Sequence, residues 1–130
     1  MYKSHKNIWT AAFLGAALLG TSAPAISADA ANGEKVFRKC ATCHTLEEGK
    51  RKIGPSLYGI FGRTSGTLEG FRYSKAMKDA GIVWTEETID AYIANPRGYV
   101  KGNRMAFVGL KKPEERADVI AYLKSATGAE

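Results

Sequence analysis

The sequence predicts an all-α protein, a small single domain built of helices and glycine-rich loops. Three observations carry that prediction. Apolar residues recur at spacings of three and four in separate stretches, as one face of a helix requires. Proline, glycine and short polar residues punctuate those stretches where helices start and stop. No run alternates β-branched and polar residues as a half-buried strand does. With 130 residues the chain has room for one domain.

The first thirty residues stand apart from that domain. Lys3, His5 and Lys6 form a basic start, an apolar run follows from Ile8 to Leu19, and small residues lead to Ala28-Asp29-Ala30. This is the anatomy of a secretory signal peptide. The run is too short for the ~20 apolar residues that span a bilayer. Residues 1–30 are therefore expected to be removed, by a cut after Ala28 or Ala30, leaving 31–130 as the working domain. Loss of Lys3 and Lys6 leaves 17 basic side chains against 12 or 13 acidic ones, according to the cut. An exported basic protein meets no genome, so its positive surface is expected to face acidic proteins and not nucleic acid.

The first helix is expected from about Gly33 to His44, with Val36, Phe37, Cys40, Cys43 and His44 on one stripe. A short helix runs from Ser74 to Ala80 and is closed by Gly81. The next starts at a Thr85 cap, with Glu86 and Glu87 in the first turn where the dipole favours them. It turns Ile89, Tyr92 and Ile93 inward and ends at Pro96. The last opens on Pro113 and stops at Gly128, burying Val119, Ile120, Tyr122 and Leu123. Between Thr45 and Tyr73 lies a long segment with six glycines, at 49, 54, 59, 62, 66 and 70. A loop of that length belongs in a compact domain only if it wraps something.

What it wraps is indicated by "CATCHT", residues 40–45, which holds both cysteines of the chain. Zinc would need four ligands, and no second cluster completes a set begun by Cys40, Cys43 and His44. A thiol–disulfide oxidoreductase would use Cys-x-x-Cys at the start of a helix beside a βαβ unit; here the pair falls toward a helix end and strands are lacking. A covalent haem needs two sulfurs three apart on one face with an imidazole directly behind, which is Cys-x-x-Cys-His. On the far side of such an iron a thioether gives an electron carrier of raised potential. Met77 reads as a core filler in a short helix, whereas Met105, in the loop "KGNRMAF" after the Gly102-Asn103 turn, is the better ligand.

Through "GEKVFRKCATCHT", "IGPSLYGIFGR", "YSKAMKDAGIVWTEETIDAYIANPRGYVKGNRMAF" and "ERADVIAYLK", the chain resembles class I cytochrome c, most of all the soluble bacterial carriers related to mitochondrial cytochrome c. The resemblance covers nearly all of residues 31–130, with its motifs in family order. It implies one haem c per chain, bound covalently through Cys40 and Cys43, with the helices and loops wrapped around it and His44 and Met105 as iron ligands. It implies that Pro55 offers its carbonyl to the other nitrogen of His44, and that Arg63, Tyr73, Trp84 and Asn103 hydrogen-bond the haem propionates or the water around them. Tyr92 would sit near the Met105 sulfur. Gly33, Phe37, Val119 and Tyr122 would pack the first helix across the last, and Phe107 would shield the haem edge. Two positions depart from the family pattern: Lys101-Gly102 replaces Pro-Gly, and Arg104 replaces the Lys before the Met.

The function expected is that of a periplasmic, monomeric electron carrier and not an enzyme. A basic collar of Lys39, Lys50, Arg51, Lys52, Arg97, Lys101, Arg104, Lys111 and Lys112 would steer acidic redox partners. By resemblance these are a cytochrome bc complex and a terminal oxidase, a photosynthetic reaction centre or a periplasmic dehydrogenase. The competing expectation is a haem enzyme or sensor, a peroxidase or gas binder, in which Met105 leaves the iron.

Overall fold

The computed structural model describes residues 27–129. The leader expected at residues 1–30 lies almost wholly outside them. Five helices follow in order: α1 (Ala30–Ala41), α2 (Lys75–Asp79), α3 (Glu86–Ala94), α4 (Pro96–Tyr99) and α5 (Pro113–Thr127). The only β pairing among the described residues is an isolated antiparallel bridge between Thr64 and Val83, so the all-α expectation holds.

Helix α1 is displaced three residues toward the N-terminus from the expected Gly33–His44. Asp29 is its cap, accepting from the backbone N–H groups of Ala31 and Asn32. Two of the orphan donors at the helix start are satisfied in this way. The folded unit thus reaches back to Asp29, the earlier of the two starts expected. At the other end, the N–H groups of Cys43 and His44 both donate to the Cys40 carbonyl, at 3.0 and 2.9 Å. That turn closes the helix, so Cys43 and His44 lie beyond it.

The remaining helices begin and end where their punctuation predicts. Ser74 caps α2 through the Met77 N–H. Thr85 caps α3 in a reciprocal box with Thr88. Pro113 opens α5, and Gly128, at φ +66°, closes it in the left-handed conformation. Pro96 does more than end α3. With Asn95 as cap it starts α4, a proline at the first helical position that lacks only an N–H which would have been unpaired anyway.

Helices α1 and α5 cross at closest approach around Gly33. A methyl built there would strike the Asp118 carbonyl and come within 2.8 Å of Tyr122 Cβ. Val36, Phe37, Leu110, Val119 and Leu123 are buried around the crossing, each contributing about 1.5–3 kcal/mol by leaving water. The Phe37 and Tyr122 rings meet at 5.5 Å between centroids. The crossing is also tied by a buried carboxylate. Asp118 accepts from the Asp29 N–H and from Asn32 Nδ2, both at 2.7 Å.

The Asp29 N–H, and then the Asn32 amide, hold the Asp118 carboxyl below its ordinary value of 3.8. A depressed folded pKa means that this stabilisation is complete above 3.8 and is lost as pH falls through the lower folded value. Thermal unfolding followed from neutral pH downward is expected to show a falling midpoint below about pH 4, and Asp118→Asn is expected to flatten that dependence.

A second core, of Ile60, Met77, Trp84, Ile89, Tyr92, Val100 and Ile120, lies beside the first. Leu57, Phe61 and Ile93 pack against both. The long glycine-rich segment is fastened to this second core by backbone bonds. The Leu57 N–H reaches the Thr45 carbonyl, Gly62 reaches Trp84, Trp84 reaches Arg63 and Ser65 reaches Ile82.

Candidate haem site

Cys40 is half-buried on the last turn of α1 and packs against the first core; Cys43 is half-buried on the turn that follows. They form no disulfide with each other. Burial pushes the Cys40 thiol up from 9.0, against a smaller opposing effect of Lys39. A thiol so placed is the reverse of an activated redox cysteine. Among the described residues no three His, Cys, Asp or Glu side chains come together as a metal site. Two one-turn-spaced sulfurs directly ahead of an imidazole are suited to covalent attachment of a haem.

The imidazole of His44 is fixed from one side. Its Nδ1 lies 2.8 Å from the Pro55 carbonyl. A carbonyl only accepts, so Nδ1 carries the proton and Nε2 keeps its lone pair for a metal. Burial lowers the ring's pKa below 6.5, opposed by the Pro55 bond, so the neutral ligand form prevails at neutral pH. Gly54 leaves the space this ring occupies, since a methyl there would lie 2.5 Å from Cε1 and 2.8 Å from Nδ1. Gly54 was not among the expected site residues; its place directly before Pro55, in the segment that must meet His44, was the available signal.

Met105 packs against the second core with Ile60, Met77, Trp84 and Tyr92. Its sulfur accepts from the Tyr92 hydroxyl at 3.5 Å. Burial pushes the Tyr92 phenol up to about 12, so at neutral pH it is a donor. Trp84 packs against Tyr92, with ring centroids 5.1 Å apart. Met77 is buried within the same core, as its reading as a filler requires.

The loop holding Met105 is locked by one side chain. Asn103 donates from Nδ2 to the carbonyls of Pro96, at 2.8 Å, and Val100, at 2.7 Å, and accepts from the Met105 N–H at 2.8 Å. Its amide is thus spent on the loop, not held ready for a propionate. From Gly102 to Gly109 the chain alternates: 103, 105, 107 and 109 are half-buried, and 102, 104, 106 and 108 exposed. Phe107 falls on the inner face and packs against the first core.

Arg63 is half-buried and donates to the backbone carbonyls of Ser56, at 3.0 Å, and Tyr58. Tyr73 is half-buried, and its carbonyl accepts from Arg104 at 3.2 Å. Trp84 is buried. The two parts of the expected constellation therefore rest on different cores, Cys40 on one and Met105 on the other, with Leu57, Phe61 and Ile93 common to both. Paired sulfurs, an oriented imidazole, a thioether and a surround of aromatic and aliphatic side chains make a donor set that fits haem.

Comparison with known proteins decides the family. The cytochrome c family model matches residues 30–127. The chain belongs to the cytochrome c family. It is 57% identical over 111 residues to the cytochrome c of Chlamydomonas reinhardtii, covering 84% of this chain and 99% of that protein. It is 50% identical over 101 residues to the cytochrome c of Nigella damascena, covering 76% and 91%. It is 49% identical over 108 residues to the cytochrome c2 of Blastochloris viridis, covering 82% and 85%. This cytochrome c is accordingly a haem-carrying electron-transfer protein and not an enzyme, with haem c held covalently through Cys40 and Cys43. Among the described residues no helix is long and apolar enough to cross a membrane.

Tyr92→Phe in the haem-loaded protein is expected to keep the fold and lower the midpoint potential. On the Met105–iron assignment proposed below, the hydroxyl would withdraw electron density from the sulfur, and losing it would make the thioether a better donor to ferric iron. A bond of about 1 kcal/mol corresponds to a fall of roughly 40 mV, measurable by redox titration.

Proposed function

We propose that this cytochrome c is an exported, monomeric, single-haem carrier whose haem iron His44 and Met105 would hold, and that it passes electrons between membrane redox complexes. The observation that carries the ligand assignment is the Tyr92 hydroxyl on the Met105 sulfur, in a loop whose backbone Asn103 secures. When bound, haem c supplies a one-electron ferric–ferrous couple. The chain's own residues keep the change between the two states small. Pro55 fixes the His44 ring, Asn103 fixes the Met105 backbone, and Trp84, Tyr92, Ile60 and Met77 keep water away. Neither ligand has to gain or lose a proton. Arg63, Tyr73 and Trp84 are the groups suited to meeting the propionates.

The basic side chains expected to form a collar are all exposed. Lys39 and Lys112 share Glu115, at 2.9 and 3.7 Å, which leaves the others to set the positive field. Val108 and Ile53 are bare at 83% and 78% exposure, apolar contacts that a transient partner could cover. Acidic redox proteins fit this surface: a cytochrome bc complex, a terminal oxidase, a photosynthetic reaction centre or a periplasmic dehydrogenase. The basic start, apolar run and small residues of positions 1–30 support export to the periplasm.

Optical spectra and stopped-flow kinetics test the proposal together. Ferric protein is expected to show the weak long-wavelength band of sulfur on iron, and ferrous protein to resist carbon monoxide at neutral pH. Electron transfer with an acidic partner is expected to slow as salt rises. Immediate binding of carbon monoxide would replace this reading with a haem enzyme or gas sensor.

A further inference from the structure

We propose that the leader is removed at the Ala28–Asp29 bond, and that the amino group so released becomes a structural partner of Asp118 where α1 crosses α5. The inference rests on the export reading above and sharpens it to one bond. A leader peptidase would hydrolyse that bond with water: Ala28 departs with a carboxylate, and the Asp29 nitrogen gains a hydrogen and protonates to an ammonium. This nitrogen already lies 2.7 Å from Asp118 Oδ1, while Asn32 Nδ2 occupies Oδ2 at the same distance. Cleavage thus turns a neutral donor into a charged one without moving it, and charge-assisted bonds to a buried carboxylate are the stronger kind.

The alternative cut, after Ala30, removes what the fold uses. It deletes the Asp29 side chain that caps Ala31 and Asn32, and the Asp29 carbonyl that accepts from the Gly33 N–H at 2.8 Å. It takes the donor from Asp118 Oδ1, leaving a buried oxygen without its partner. It also starts the chain inside the first turn of α1, where a lone ammonium opposes the helix dipole. Ser27 and Ala28 are exposed, so losing them uncovers nothing.

Intact mass and N-terminal sequencing of the exported, haem-loaded protein are expected to find Asp29 first. A chain beginning at Ala31 would overturn the inference while leaving export standing; a chain still carrying residue 1 would overturn both. Two haem-loaded proteins made behind leaders that force a start at Asp29 or at Ala31 give the second readout. The Ala31 start is expected to unfold roughly 5–10 °C lower, as loss of a cap on a domain of this size implies. Asp118→Asn is expected to lower the midpoint of the Asp29 start by more than that of the Ala31 start, which keeps only the Asn32 bond to this side chain. Equal midpoints for the two starts would overturn the structural role of the released amine.

Discussion

Replacing Met105 with Ala is expected to abolish the sulfur-to-iron band of the ferric protein, admit carbon monoxide to the ferrous protein at once, and lower the midpoint potential. A thioether stabilises ferrous over ferric iron, so its loss acts in one direction. A fall of ~120 mV would mean a hundredfold change in the one-electron equilibrium, at ~59 mV per tenfold. The fold should survive, because Met105 is only half-buried and Asn103 locks the loop mainly through other backbone groups. Met77→Leu is the matching control. Met77 is the more deeply buried methionine, yet a volume-conserving swap there should cost less than about 1.5 kcal/mol and leave the spectrum alone. If Met105→Ala retained the parent's spectrum and potential, the ligand assignment would fail.

Gly33→Ala is expected to have the largest effect on stability. Helix propensity by itself predicts the opposite sign, since Ala in a helix interior is favoured over Gly by about 1 kcal/mol. The crossing overrides it, because the new methyl would meet the Asp118 carbonyl and Tyr122 Cβ, and α1 could accept it only by moving off α5. Overpacking of this kind costs about 3 kcal/mol, which on a domain of this size lowers the unfolding midpoint by roughly 12–24 °C. Calorimetry of the haem-loaded variant would measure it, and a raised midpoint would show that the crossing is looser than the structure places it.

The fold was legible where local chemistry and tertiary packing agree. Thr85, Pro113 and Gly128 each mark a helix end by a mechanism confined to a few residues, and the ends fall there. Helix α1 was misplaced because its cap, Asp29, sits within a stretch that also reads as a cleavage site, and two short-range signals competed for one residue. Pro96 was read only as a stop although Asn95-Pro96 is equally a cap followed by a first-position proline; a helix of four residues has no apolar periodicity to mark it. In the site, Cys40 and Cys43 were legible because covalent attachment requires that spacing. Gly54 and Asn103 show the limit of such reading. What Gly54 does depends on a ring ten residues earlier in the chain. The amide of Asn103 is divided among Pro96, Val100 and Met105, and no pattern of residue types announces that division.

The alternating exposure of residues 102–109 assigns two trades to one short strip of chain. Odd-numbered positions, Asn103, Met105 and Phe107, turn inward to the loop backbone and the two cores; even-numbered ones, such as Arg104 and Val108, face outward. On the proposed function, substitutions at the outward set are expected to alter partner contacts while leaving the inward packing in place.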